Sequence, residues 1–159
     1  MLYLITSLSH ILYFYVWDFT DHFISVSQYL ETTPLLLITY LSIIQKILQI
    51  IYIIIYSIQN NTLLIYIEEF NIINFILILL GQTLNISVYY RLGIKGVYYG
   101  SKLGFMLPYI TTFPYNIGIH NPQYIGCMLT FFGLYPLLSP RYILYASSLY
   151  YISGYIENE

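Results

Sequence analysis

Residues 81–126 read GQTLNISVYYRLGIKGVYYG (81–100), SKLGFMLPYITTFPYNIGI (101–119) and HNPQYIG (120–126). The block begins inside an apolar run that carries Gln82 and Asn85, passes basic groups at Arg91, Lys95 and Lys102, and closes in a Pro-flanked turn at His120. Polar side chains at membrane depth are expensive unless they have partners or work to do. The block therefore marks where a membrane helix ends and where chemistry concentrates.

The rest of the chain is built for lipid. Of 159 residues, 58% are hydrophobic and only 8% charged, against about a quarter charged in an average soluble domain. Five basic and seven acidic residues cannot cover a soluble domain of this length, so the reading is an all-α integral membrane protein, a single domain over 1–159. The 28 Ile, 21 Tyr and single Ala (Ala146) point to drifted composition, so individual Ile-for-Leu choices carry little. A net charge of −2 without clustered Lys and Arg excludes a nucleic-acid partner. Cys127 is the only cysteine, which excludes an intramolecular disulfide and a zinc thiolate cluster. His10 and His22 lack ligand spacing, so no metal is expected.

Working outward, residues 2–17 form a first span ending in Tyr13, Tyr15 and Trp17 as an interfacial belt. No basic segment precedes them and no small-x-small site follows, so they read as a span and not a removable leader. Asp18, Asp21, His22 and Glu31 mark a wet loop, after which Thr33-Pro34 opens a second span over 35–57. Gln45 and Gln49 share a face of it and, with Lys46, read as contacts between helices. A short loop over 58–69 holds Asn60-Asn61-Thr62, Glu68 and Glu69, and a third span covers 70–90. Residues 91–122 are expected to hold short interfacial or re-entrant helices around Gly93, Gly96, Gly100 and Gly104. The last apolar region, 124–156, would be about 50 Å long as one helix, so Ser139-Pro140 is expected to fold it into a hairpin that leaves and returns on one side. Gly133 and Gly154 would let its backbones approach. Arg91, Lys95 and Lys102 place the loop after the third span in the cytosol, with the C-terminus on the same side and the N-terminus lumenal.

The ordered fragments Gly81-Gln82, Leu84-Asn85, Leu92-Gly93, Gly96-Val97-Tyr98-Tyr99-Gly100, Gly104, Phe113-Pro114-Tyr115 and Asn121-Pro122-Gln123-Tyr124-x-Gly126 resemble the phospholipid N-methyltransferase family of endoplasmic-reticulum enzymes. The likeness is strong over about 80–126 and looser through Gly133 to Tyr155-Ile156-Glu157. It is closest to the branch that methylates phosphatidyl-N-methylethanolamine onward to phosphatidylcholine. The resemblance implies S-adenosylmethionine as co-substrate, a phospholipid in the bilayer as partner, a multi-pass endoplasmic-reticulum protein and a site facing the cytosol. It carries the glycine motif of the cofactor site onto Gly93, Gly96 and Gly100, and the carboxylate after the last span onto Glu157. The family often has two adjacent acids there; here Asn158 intervenes before Glu159, which leaves the second role open. The chain also stops at Glu159 where the family pattern runs on, so truncation is an open expectation.

Methyl transfer to an amine needs a cofactor pocket, a headgroup pocket open to lipid and a proton acceptor. Tyr98, Tyr99, Tyr115 and Tyr124 are the aromatics expected around the cations, with Tyr98 and Tyr99 towards the cofactor and Tyr115 and Tyr124 towards the lipid. Gly93, Gly96 and Gly100 either let the cofactor approach or simply pack helices. Glu157 either holds the ammonium of the cofactor or acts as proton acceptor. His120 is a candidate base or a turn residue. Gln82 and Asn85 face the substrate, and Arg91, Lys95 and Lys102 either hold the lipid phosphate or only set topology. Two rival readings are a methyltransferase of prenylated cysteine carboxylates and a helical scaffold without chemistry. Neither predicts the string from Gly96 to Gly100 together with the Gln82/Asn85 face.

Overall fold

A chain this poor in charge satisfies its backbone polar groups best inside helices. The computed structural model describes residues 1–157, and over these the protein is all-α, with seven α-helices and one 3-10 turn. They are α1 (Leu2–Asp18), α2 (Thr20–Tyr29), α3 (Pro34–Gln59), α4 (Thr62–Glu69), α5 (Ile72–Val97), the turn Tyr115–Ile117, α6 (Pro122–Gly133) and α7 (Pro140–Ile156).

Local cap chemistry starts several of them. Thr33 Oγ1 accepts from the Leu36 amide at 3.3 Å with Pro34 in the first turn of α3. Asn71 and Asn74 form a reciprocal capping box at the start of α5. Ser139 Oγ accepts from the Tyr142 amide at 3.3 Å ahead of Pro140. The break between α6 and α7 thus falls where proline demands it.

Four sequence expectations change. The wet loop over 18–33 contains α2, whose Phe23 and Ser27 are buried on one face while Asp21 favours its N-terminus. The loop over 58–69 contains α4, tied down by Thr62 Oγ1 donating to Leu137 O (3.1 Å) and Tyr66 OH donating to Gly133 O (3.3 Å). The third helix does not end at 90. It bends at Gly93 (φ 62°, ψ −171°), a backbone conformation open to glycine, and resumes to Val97. Beyond it, 98–121 holds only the turn at Tyr115–Ile117 and no interfacial α-helix, because Gly104 and Gly118 take positive φ and turn the chain instead.

Helices α3 and α5, 26 residues each, are long and apolar enough to cross a bilayer. Only 22% of each apolar window is buried. Ile44, Ile47, Ile51, Ile54 and Ile58 of α3 are among the side chains left exposed, an apolar surface that suits lipid better than water. Inside, polar groups join the helices. Gln49 Nε2 donates to Thr6 Oγ1 and to Tyr142 OH, each at 3.0 Å. Lys46 Nζ donates to Tyr150 OH at 2.7 Å, and His10 is hydrogen-bonded to Ser153 at 2.8 Å.

Helices α5 and α6 pack backbone to backbone. A Cβ on Gly81 would lie 2.5 Å from Gly126 O, and one on Gly126 would lie 2.6 Å from Gly81 O. Larger residues would part the pair. Asn74 Nδ2 donates to Gly133 O (3.1 Å) and Tyr135 O (2.6 Å), so the α6–α7 connection sits level with the start of α5. At the opposite end of the bundle α1, α5 and α7 finish and α6 begins, with the Trp17 and Tyr99 rings 5.8 Å apart.

Candidate functional site

The bend at Gly93 brings the last turn of α5 back on itself. A Cβ on Gly96 would stand 2.3 Å from Leu92 Cβ, so the site is shaped around the missing side chain. The turn closes with the Gly100 amide donating to Lys95 O at 2.6 Å, around Tyr99 in the left-handed region (φ 56°). That conformation costs a non-glycine residue about 1–2 kcal/mol. The buried ring offsets it by packing on Tyr13 (5.6 Å) and Trp17 (5.8 Å).

From the other side, Asn121 Nδ2 donates to Gly154 O at 2.8 Å and pins the start of α6 to the end of α7. A Cβ on Gly154 would lie 3.2 Å from Asn121 Nδ2 and from Tyr124 Cδ2. This contact delivers Tyr124 to Glu157, and the Tyr124 hydroxyl donates to Glu157 Oε1 in a short hydrogen bond. With that proton committed, Tyr124 accepts from Tyr99 OH at 3.0 Å. The three groups form one hydrogen-bonded row linking α5, α6 and α7.

The row lines a cavity of about 190 Å³. Gly96, Tyr99, Tyr115, His120, Tyr124 and Glu157, all singled out in the sequence, meet on its wall. Burial pushes the Glu157 carboxyl above the usual carboxylate range, and the hydrogen bonds from Tyr124 and Tyr99 pull it back only in part. No basic side chain is among the groups acting on it in the described residues. A partly buried carboxylate held by two phenols, without a cation of its own, suits a cationic ligand. Burial, then the neighbouring Tyr124 and Glu157, hold the Tyr99 phenol well above its ordinary value, so it stays a donor.

Other expected residues lie elsewhere. Gly93 and Gly100 shape the turn without lining the cavity. Tyr98 is hydrogen-bonded to Tyr89 (2.8 Å) and lines an adjoining cavity of about 50 Å³ with Lys46, on the other side of Tyr99 and Tyr124. Gln82 donates to Thr130 (2.9 Å) and Asn85 accepts from Cys127 Sγ (3.9 Å), so both face α6. Arg91 lies over the Tyr90 ring (5.6 Å), Lys95 over Phe105 (4.7 Å) and Lys102 over Trp17 (3.9 Å). Asn121 is the N-cap of α6 by position, but makes no side-chain cap bond there. Glu159 lies outside the described residues. Trp17 lines the cavity although the sequence marks it only as an interfacial aromatic. Nothing local could have revealed this, since α5 and α6 bring the rest of the wall to it. No group of three or more His, Cys, Asp or Glu side chains with the arrangement for a metal occurs among the described residues.

The family model for phospholipid methyltransferase matches residues 69–157. The chain is 35% identical over 79 residues to a phosphatidyl-N-methylethanolamine N-methyltransferase of Arabidopsis thaliana, covering 50% of this chain and 48% of that protein. It is 43% identical over 56 residues to the protein of the same name from Saccharomyces cerevisiae (35% of this chain, 27% of that one). For Schizosaccharomyces pombe the figures are 42% over 52 residues, 32% and 26%. The matches thus span about half of the first relative and about a quarter of the other two. No solved structure matches the chain.

Proposed function

The chain belongs to the phospholipid methyltransferase family, and on that premise we propose that it transfers methyl groups from S-adenosylmethionine to the amine headgroup of phosphatidyl-N-methylethanolamine and its dimethyl form, making phosphatidylcholine. The observation that carries this reading is the Glu157 carboxylate, half-buried beside Tyr124 and Tyr99 with no basic side chain acting on it among the described residues. When bound, S-adenosylmethionine would supply a sulfonium-bound methyl for transfer to the nitrogen, the electron pair of the broken carbon–sulfur bond staying on sulfur. Glu157 holds the cofactor's ammonium by a charge-assisted hydrogen bond. The rings of Tyr99, Tyr115 and Tyr124 line the cation's surroundings and exclude water. Gly96 leaves room along the wall, and at about 190 Å³ the cavity takes the methionine end of the cofactor and not the whole of it. His120, exposed at the rim, is the group within reach to take the proton that the amine must lose. Arg91, Lys95 and Lys102, on the same end of the bundle, serve the lipid phosphate.

Purified protein in vesicles should move a labelled methyl group from S-adenosylmethionine into lipid containing the N-methylethanolamine headgroup. Labelling of a farnesylated cysteine instead, or of neither, would overturn the assignment.

The same reading makes the chain one membrane-embedded unit of the endoplasmic reticulum, with α1, α3 and α5 as spans, α6 and α7 as a helical hairpin, and the cavity open to the cytosol. The hydrogen bonds from Thr62 and Asn74 to the α6–α7 connection support a hairpin whose tip reaches the lumenal face where α5 begins, rather than turning back within the bilayer. Cysteines at 139–141 are then expected to react with impermeant reagents from the lumenal side and a cysteine at 155 from the cytosolic side. Protection of 139–141 from both sides would return the tip to the membrane interior.

A further inference from the structure

Lys46 stands at the midpoint of α3 (Pro34–Gln59), outside the residues that match the family model. A charge at that depth of a span is costly and calls for a partner. Lys46 Nζ donates to Tyr150 OH at 2.7 Å and to Gln49 Oε1 at 3.3 Å, both neutral acceptors. It lines the cavity of about 50 Å³ that adjoins the one at Glu157, and no Asp or Glu side chain lines it among the described residues. The phenols of Tyr98, Tyr99, Tyr124 and Tyr150 on this wall are each no more than 9% exposed. Their hydrogens divide unequally. Tyr99 and Tyr124 commit theirs in the row that ends at Glu157, beyond the wall. Tyr150 accepts from Lys46, so its own hydrogen is left with the Cys127 sulfur, a weak acceptor. Tyr89 and Tyr98 share a bond of 2.8 Å, which commits the hydrogen of one and leaves that of the other. The ammonium keeps an N–H to give, and Gln123 adds an amide donor. The wall thus offers hydrogens and a positive charge, while its acceptors are neutral.

We propose that this cavity binds one small monovalent anion of the halide class, which serves as the counter-ion of Lys46 inside the membrane. Opposite charges in contact attract strongly where the screening of water is weak, and a lone buried cation is far costlier than a paired one. A water molecule accepts the same hydrogens but leaves the charge uncompensated. It also brings two hydrogens of its own to a wall poor in acceptors. A dianion overcompensates a single ammonium, and an organic anion such as gluconate is too large for about 50 Å³. Tyr99 and Tyr124 form the partition between this cavity and the one at Glu157. The anion therefore also braces the rings that close the larger cavity from behind.

Thermal melts of the purified protein in detergent test this with neither cofactor nor lipid substrate. The protein is exchanged into gluconate and titrated with chloride at constant ionic strength. A saturable rise in Tm is expected, about 3–5 °C once chloride is tenfold above its Kd. Bromide should replace chloride, and sulfate should not. Lys46→Met removes the charge and should abolish the response to chloride. Tyr150→Phe keeps the ring and the ammonium but removes a donor and should raise the chloride midpoint about tenfold or more. Equal Tm in chloride and gluconate would overturn the anion site, as would an equal gain from sulfate. A chloride response that survives in Lys46→Met would place the anion elsewhere and overturn it too. If Lys46→Met does not fold, the Tyr150→Phe midpoint decides, and an unshifted midpoint rejects the site.

Discussion

If Glu157 holds the cofactor's ammonium as proposed, Glu157→Gln is expected to weaken S-adenosylmethionine binding about ten- to a hundredfold, because the amide keeps the shape but not the charge. A charge-assisted hydrogen bond is worth about 1.5–3 kcal/mol, which converts to that factor in affinity. The same substitution should leave the free protein as stable at pH 7 or more so. Burial raises the folded-state pKa of Glu157 above the usual carboxylate range, so the folded state binds the proton more tightly than the unfolded chain does. Stability from this group is then full below the unfolded pKa and is lost as pH rises through the folded one. At neutral pH the ionised carboxylate is a liability in the empty cavity, which the neutral amide removes. Cofactor affinity has the opposite dependence. On the proposed role it needs the ionised form, and is expected to fall on acidification at a higher pH than an ordinary glutamate would allow. Titration calorimetry and thermal melts of the two proteins across pH check both signs. Unchanged affinity with a turnover that collapses at neutral pH and recovers at high pH would make Glu157 the proton acceptor. No change in either would leave the cofactor's ammonium without Glu157 as its partner.

Gly100→Leu and Gly96→Leu are expected to bring S-adenosylmethionine binding below detection while the protein still inserts into membranes. A Cβ on Gly100 would sit 2.3 Å from Lys95 O, a backbone atom that cannot turn aside. The closing bond from Gly100 N to Lys95 O would open, and Tyr99 would leave the left-handed conformation that points its hydroxyl to Tyr124. Overpacking of this kind costs about 1–3 kcal/mol, concentrated in one turn, so the apolar bulk of α5 upstream of Gly93 retains its place. At Gly96 the Leu92 side chain is the obstacle, 2.3 Å from the added Cβ, and the new side chain also enters the cavity wall. Binding of labelled cofactor beside carbonate extraction of membranes separates the two effects. Cofactor affinity unaltered in both variants would show that neither glycine shapes the site.

Much of the fold lay in local chemistry. Apolar length and scarce charge mark α3 and α5, and the pairs Thr33-Pro34 and Ser139-Pro140 start their helices through their own side-chain and ring geometry. Such signals need no distant partner. Helices α2 and α4 were not legible because ten and eight residues are too short to be stable alone. Helix α4 is anchored by Gly133 and Leu137, more than sixty residues away. The glycine motif and Glu157 could be read in the sequence as a set, but not their division of labour. Tyr98 and Tyr99 are neighbours in the chain and share the small cavity beside Lys46, yet only Tyr99, with φ of 56°, also reaches the cavity at Glu157. Gln82 and Asn85 are polar residues within an apolar run, which says that they need partners. Only packing through Gly81 and Gly126 decides that those partners are Thr130 and Cys127 on α6. Composition and caps act over one or two turns and so are written in the chain. The meeting of Trp17, Tyr99, Tyr124 and Glu157 around one cavity depends on how four helix ends converge, and only the tertiary structure contains that.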